Sequence, residues 1–359
     1  MQLTRRTLLT TAVGGTLAAT STLHTSAAPA PAATPKPTVS IVKIPNGNID
    51  YAVEKALDLL GGIATVTRGK DRILLKPNLV FASPDATTKP PVVRALARLM
   101  KAANKDVSIA EGSAAAPPFN VRNGEVFRTT KPELLNAMQQ DIFHRLGYDD
   151  LAKTLKVPLI NLHTGDLATV TVPGAFVFDR LTIHRALIET DLLCSVPMMK
   201  THTLAGVTLG MKNLIGAYPG SIYQAVRGRM HDTAATVEPS GTASAIIDMV
   251  RANKLGLVVV DASTAMEGDG PSNGPLVPME TIIAGANPLA TDMVAAHLMG
   301  FEPANIPTFT LANQAGMRPE RLDEIEIRGE AVDNVARNFL RPHVVPWSVA
   351  RAVWATREI

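Results

Sequence analysis

Arg72-Ile73-Leu74-Leu75-Lys76 is a short branched apolar run closed by Pro77-Asn78, and the pattern that follows it over Pro91–Asn104 has a different period. In the first run successive residues are apolar, as in a strand covered on both faces. In the second, Val92, Leu96, Leu99 and Met100 share one helical face, and a proline stands near the start, where its missing N–H is harmless. Val107–Ala110 then returns to a strand pattern. Strand, helix and strand, with both strands fully apolar, is the unit of a parallel sheet covered by helices.

The same alternation extends in both directions. Upstream, Val39–Ile44 reads as a strand and Ile49–Leu60 as a helix. Downstream, Leu134–Leu155 is helical with a break at Gly147, and Val157–Leu162, Ala168–Val172, Leu181–Ile183 and Leu192–Val196 are strands. Thr242–Asn253 is a helix, Leu255–Asp261 and Thr281–Ala284 are strands, and Asn287 caps a helix that opens at Pro288 and runs to Met299. Glu324–Ile327 is a late strand. The fold class expected is α/β, a mostly parallel sheet with helices on both faces, as one domain or as two lobes around a cleft.

Polar residues fall where these strands end: Lys76-Pro77-Asn78, Glu111-Gly112-Ser113, His163, Lys200-Thr201-His202 and Asp261. Open α/β sheets bind ligands outside the carboxyl ends of their strands, so one shared polar site is expected. Gly206 to Gly216 reads as a short helix after a Lys200–His202 loop, its amino end facing an anion. Lys76, Asn78, Lys212 and Asn213 are the expected substrate-binding residues, and Lys200 and His202 the expected acid–base residues. Glu111, Asp261, Glu267 and Asp269 supply carboxylates for a divalent cation such as Mg²⁺ or Ca²⁺. The last two lie in the Gly/Pro loop Glu267–Gly274, expected at the rim of the site. Asp292, inside an otherwise apolar helix, is expected to form a structural ion pair, and His231-Asp232 to lie in a solvated loop.

Composition narrows the function classes. Hydrophobic residues at 46% and charged residues at 19% suit a packed domain and not a disordered chain. Arg5 and Arg6 supply two of the charges behind a formal +3, no Lys/Arg cluster lies further along, and aromatics are only 4%, so no nucleic-acid partner is expected. Cys194 is the single cysteine, which rules out an intramolecular disulfide and a cysteine-ligated iron–sulfur cluster. Set in an apolar run, it reads as a small buried hydrophobe.

The amino terminus carries its own signal. Thr4-Arg5-Arg6-Thr7-Leu8-Leu9 fits a twin-arginine export signal, followed by a mildly apolar stretch to Ala19 and small residues at Thr25 and Ala27. Residues 1–27 are therefore expected to be the signal peptide, 28–38 an Ala/Pro/Thr linker and 39–359 the α/β domain. The expected partners are the twin-arginine translocase during export and a small anionic ligand. The expected location is the periplasm or the cell exterior, with no stable membrane anchor. Replacing Arg5 and Arg6 by Lys is expected to hold the precursor in the cytoplasm, because that route reads the arginine pair itself; cell fractionation checks it, and normal export of the variant would refute the assignment.

Six ordered stretches resemble one family. They are Ile73–Leu79, Ala110–Ser113, Val196–His202, Leu209–Gly216, Met266–Pro271 and Ala284–Asp292, and together they resemble the family called domain of unknown function 362. Some relatives in that family carry a cysteine-rich ferredoxin-like segment. This chain has no such cysteines, and the redox role suggested for those relatives is not carried over.

The residue types favour an enzyme that acts on a small carboxylated or phosphorylated compound. Its chemistry would be isomerase- or racemase-like, or hydrolytic, using acid–base or divalent-metal assistance. A non-catalytic periplasmic binding protein with the same anion site is the alternative, and a maturation factor with a protein partner is the third. Whether the chain is an enzyme stays open at this point.

Overall fold

The computed structural model describes residues 35–237, 241–353 and 357–359. The expected signal peptide and the first part of the expected linker lie outside them. Lys36–Ile359 forms one compact unit. No helix among the described residues is long and apolar enough to cross a membrane.

Among the described residues the main sheet has eleven strands: β1 (Thr38–Lys43), β2 (Arg72–Pro77), β3 (Asp106–Glu111), β4 (Leu159–Asn161), β5 (Leu192–Val196), β6 (Met198–His202), β7 (Gly206–Thr208), β8 (Leu255–Met266), β9 (Leu276–Val277), β10 (Thr281–Gly285) and β11 (Glu326–Gly329). Their order along the sheet is β11-β1-β10-β8-β5-β2-β3-β4, with β6, β7 and β9 attached at the far end of β8. Along that path only β10 runs against its neighbours, pairing antiparallel with both β1 and β8. The carboxyl ends of β2, β3, β4, β5 and β8 consequently share one edge. The expected α/β class, mostly parallel, is the observed one.

Strand alternation builds two cores. Ile73 and Leu75 of β2 point into one apolar cluster with the helices Ile49–Asp58, Pro90–Ala102 and Pro132–Arg145. Leu74, between them, points into the other, with the helices Gly241–Ala252, Pro288–Leu298 and Pro307–Gln314. All three residues are essentially inaccessible, and truncating any of them to Ala would cost about 2–5 kcal/mol. Cys194 is buried in the first of these clusters, and burial pushes its thiol pKa up.

Several elements differ from the sequence reading. Leu167–Thr171 and Arg180–His184 are strands, but they form a separate two-stranded hairpin outside the main sheet. Lys200-Thr201-His202 is not a loop: it is the body of β6, which resumes after Pro197 interrupts the chain of strand N–H donors. Gly206–Gly216 is not one helix either. It begins as β7, hydrogen-bonded antiparallel to β6, and only Lys212–Ala217 coils into a short 3₁₀ turn. Asp261 does not end its strand, because β8 continues to Met266 and changes partner there from β5 to β6. His231-Asp232 lies in the helix Gly228–Ala234, with His231 buried against Trp347 at 4.5 Å between ring centres.

Candidate active site

At the carboxyl edge, next to the ends of β2 and β3, is a cavity of about 80 Å³, room for roughly half a dozen water-sized groups. Lys76, Asn78, Glu111, His202, Lys212 and Asn213, all expected at the site, line it. Arg227, His231, Gly112 and Gly216 line it as well, and Pro271 brings the Glu267–Gly274 loop to its wall.

Lys76 and Glu111 are the frame. Both are buried, and Lys76 Nζ lies 2.8 Å from Glu111 Oε1 and 3.0 Å from Oε2. The ammonium also donates to Asn213 Oδ1 at 3.1 Å and to Pro77 O at 3.2 Å. Glu111 further accepts the backbone N–H groups of Leu79 and Gly112. Burial pulls the Lys76 pKa down, and the Glu111 charge pulls it partly back. Asn213 ties this pair to the sheet by donating to Lys76 O and Ser195 Oγ, both at 3.0 Å. The local cause is the register of β2, β3 and β5, which puts Lys76 beside Ser195 and Glu111 at the end of the next strand.

Arg227 is the second fixed cation, and no strand end announces it. It is almost wholly buried and donates to Ser113 O at 2.8 Å, Gly216 O at 2.9 Å, Ile215 O at 3.2 Å and Gly112 O. It thereby staples the Gly112 loop to the Gly216 turn. Burial lowers its pKa to about 10, so it remains charged. Gln224, Val226 and Arg227 all have left-handed backbone, with φ of 67°, 52° and 56°. A β-branched residue such as Val226 rarely adopts that conformation, and strain of this kind gathers at functional sites.

The approach of Gly112 and Gly216 to these groups leaves no room for a side chain. A Cβ on residue 216 would overlap Glu111 Oε1 and stand 2.6 Å from Lys76 Nζ. One on residue 112 would stand 2.7 Å from Gly216 O.

Lys212 differs from the other cations, since its ammonium makes no hydrogen bond or ion pair among the described residues and lines the cavity. Burial, with the charges of Lys76 and Arg227, brings its pKa down to about 7. The two histidines are neutral. Burial and the neighbouring lysines hold His202 well below the usual range, and burial with Lys212 and Arg227 brings His231 to about 3. His202 Nδ1 accepts the Leu204 N–H at 3.0 Å, which leaves the proton on Nε2 and makes that nitrogen a donor.

The other expected site residues stand elsewhere. Lys200 does not line the cavity: it is fully buried and donates to Ala86 O at 2.7 Å and Pro271 O at 3.1 Å, with its pKa driven well down by burial. Asp261 accepts from Lys89 N at 2.8 Å and from the Ser263 hydroxyl at 2.6 Å, and burial raises its pKa. Lys200 and Asp261 hold the Pro84–Lys89 segment from two sides. Glu267 accepts from Leu340 N and Asp269 from His343 N, so both serve the carboxyl-terminal tail. The four carboxylates expected around a cation therefore do not meet, and among the described residues no three His, Cys, Asp or Glu side chains gather to hold one. Glu111 alone reaches the cavity, and both its oxygens already accept hydrogen bonds in a positive surrounding. That donor set does not fit Mg²⁺ or Ca²⁺.

Among the described residues Asp292 has no cation partner, contrary to the ion pair expected. Its oxygens accept the N–H groups of Gly210 at 2.7 Å and Met211 at 2.8 Å, just before Lys212, and burial raises its pKa to about 7.

Residues 73–297, more than half of the chain, match the model of the family described as Domain of unknown function (DUF362). The chain belongs to that family. Every residue of the cavity wall lies within the DUF362 match. A thylakoid-associated protein of Synechocystis sp. is 26% identical over 278 residues, 76% of this DUF362 chain and 77% of that protein. Among solved structures, the lactate racemase apoprotein from Thermoanaerobacterium thermosaccharolyticum is similar with a TM-score of 0.44 and 14% identity, over 74% of this chain and 57% of that one. A Thermotoga maritima protein is similar with a TM-score of 0.36 and 16% identity, over 75% and 59%. The chain thus spans less than two thirds of the length of either solved structure.

Proposed function

We propose that this protein binds a small anionic compound, a carboxylate or phosphate ester, in the cavity at the carboxyl edge and acts on it by acid–base or nucleophilic chemistry at Lys212. One observation carries the reading: a lysine with no hydrogen bond or ion pair among the described residues lines a cavity already framed by two fixed cations and one carboxylate. The excess positive charge favours an anion. The His202 Nε2–H and the Lys212 ammonium would hold it, while Lys76 and Arg227 are committed to the frame. The role expected of Lys200 passes to Lys212 in this reading. Among the described residues no Ser, Thr or Cys lines the cavity, so isomerisation or racemisation by proton transfer is favoured over hydrolysis through such a nucleophile. Delivery of the protein to the periplasm by the twin-arginine route belongs to the same proposal, as do a ligand supplied there and the absence of a nucleic-acid partner.

The test is ligand-induced thermal stabilisation against pH. Lys212 is charged below about 7 and neutral above it, whereas His202 and His231 stay neutral throughout that range. Stabilisation by acetate, lactate or phosphate should be full below pH about 7 and fall as pH rises through it. In Lys212→Met the residual shift should be small and flat with pH. An unchanged pH profile in that variant would remove Lys212 from the site. Ligand recovered chemically unchanged after long incubation would favour the binding-protein alternative.

A further inference from the structure

We infer that Lys212 is a covalent nucleophile and that the substrate class of the cavity is a small 2-oxo acid, whose carbonyl carbon Lys212 captures as an imine. The inference rests on the anion-site reading above and narrows it. A lysine that only bound an anion would gain from full charge and a fixed position; this one has neither a partner nor a counter-ion among the described residues. It shares the cavity with Lys76 and Arg227, whose charges are pinned by Glu111 and by four backbone carbonyls and cannot turn away. Placing an amine among fixed cations in a desolvated pocket is a known physical route to a nucleophilic lysine. Lowering of its pKa to about 7 by that surrounding agrees with the geometry. The remaining groups that face it are Glu111, which opposes the shift, His202 and His231, which stay neutral, and the buried Lys200, whose own pKa burial and the Lys212 charge drive well down.

The step balances without a further reagent. The neutral Lys212 Nζ attacks the carbonyl carbon, the C=O pair moves to oxygen, and the nitrogen proton passes to solvent water while the oxygen takes one. The resulting hydroxyl leaves as water with a second proton, giving an iminium. Overall, amine, ketone and one proton yield iminium and water. The iminium carries the same charge as protonated Lys212, so the frame of Lys76, Arg227 and Glu111 meets no new charge, and the substrate's own carboxylate, next to the captured carbonyl, adds the anion that the cavity lacks. A cavity of about 80 Å³ admits a compound of about the size of pyruvate and little more.

The experiment is reductive trapping. The purified mature protein is incubated with pyruvate and sodium borohydride, and intact-mass and peptide-mass spectra are recorded. Thermal shifts with pyruvate, lactate and acetate are measured alongside. One carboxyethyl group per chain, on Lys212, absent in Lys212→Arg and blocked by excess acetate, is the expected result. Stabilisation by all three anions without a trapped adduct would overturn the imine and leave the anion site standing. Neither stabilisation nor adduct would overturn both. An adduct spread over surface lysines, or unaltered in Lys212→Arg, would also overturn the inference. Circular dichroism of Lys212→Arg and Lys212→Met establishes that the variants are folded, so that loss of trapping reports on the amine.

Discussion

Glu111→Gln should destabilise the protein by about 3–5 kcal/mol, because it removes one partner of a fully buried ion pair and leaves the other charge uncompensated. Lys76 is 0% exposed and Glu111 2%, so bulk solvent does not stand in for the lost carboxylate charge. Three other acceptors or donors lose geometry with it, since Glu111 also receives the N–H groups of Leu79 and Gly112 and orients Lys76 toward Asn213. The pH dependence has a definite sign. Burial already lowers the Lys76 pKa, and the Glu111 charge is what resists it. Without that charge the folded-state pKa falls further, so the unfolded chain binds more protons than the folded one up to the ordinary lysine value of about 10.4. Stability of the variant should therefore rise with pH across that window, and the deficit relative to the parent should shrink. Urea unfolding at several pH values measures this. The double variant Lys76→Met/Glu111→Leu, which removes both charges, should recover much of the loss. A deficit below about 1 kcal/mol in Glu111→Gln at neutral pH would show that the pair is more hydrated than its burial implies.

The fold was legible because its physics is local and periodic. Ile73-Leu74-Leu75 states directly that a strand feeds two cores, and the structure places those residues alternately in them. Gly147 marks a helix break, and its left-handed φ of 73° is why. Half of the site followed from the same logic: Lys76, Asn78 and Glu111 are at strand ends, and parallel neighbours bring such ends together. Asp261 misled for a physical reason. A polar residue after Val258-Val259-Val260 resembles an exit, but its carboxylate is satisfied by Lys89 N and Ser263, so β8 could run on. Pro197 hid the continuation of the sheet into β6, which turned Lys200 toward backbone carbonyls of two loops instead of the cavity. Glu267 and Asp269 looked like spare cation ligands because their acceptors' partners, Leu340 N and His343, lie some seventy residues away in the chain. Such pairings are long-range, and no local period encodes them. Arg227 was invisible for a related reason: an arginine between Val226 and Gly228 carries no spacing signal, and only folding brings four carbonyls around it.

Arg227→Lys should both unfold the site and abolish anion-induced stabilisation, although it keeps the charge. The guanidinium spans Gly112 O and Ser113 O on one loop and Ile215 O and Gly216 O on the other. An ammonium is a point donor on a flexible stem and cannot reach both loops at once. Two buried carbonyls losing their partners, each at about 1–3 kcal/mol, make a loss of about 2–6 kcal/mol in urea unfolding. The backbone adds to this, since residue 227 stays at a φ of 56° with less holding it there. The consequence for function runs through Gly216, whose approach to Lys76 and Glu111 leaves no slack. Once the staple is lost, the Lys212–Ala217 turn can move off the sheet, and Lys212 loses the neighbours that hold its pKa near 7. Anion-dependent thermal shifts in Arg227→Lys should therefore vanish at temperatures where circular dichroism still shows a folded sheet. Retention of the parent's shift and pH profile in a folded Arg227→Lys variant would mean that the two loops are held by something other than this guanidinium, and the cavity would have to be described again from its remaining walls.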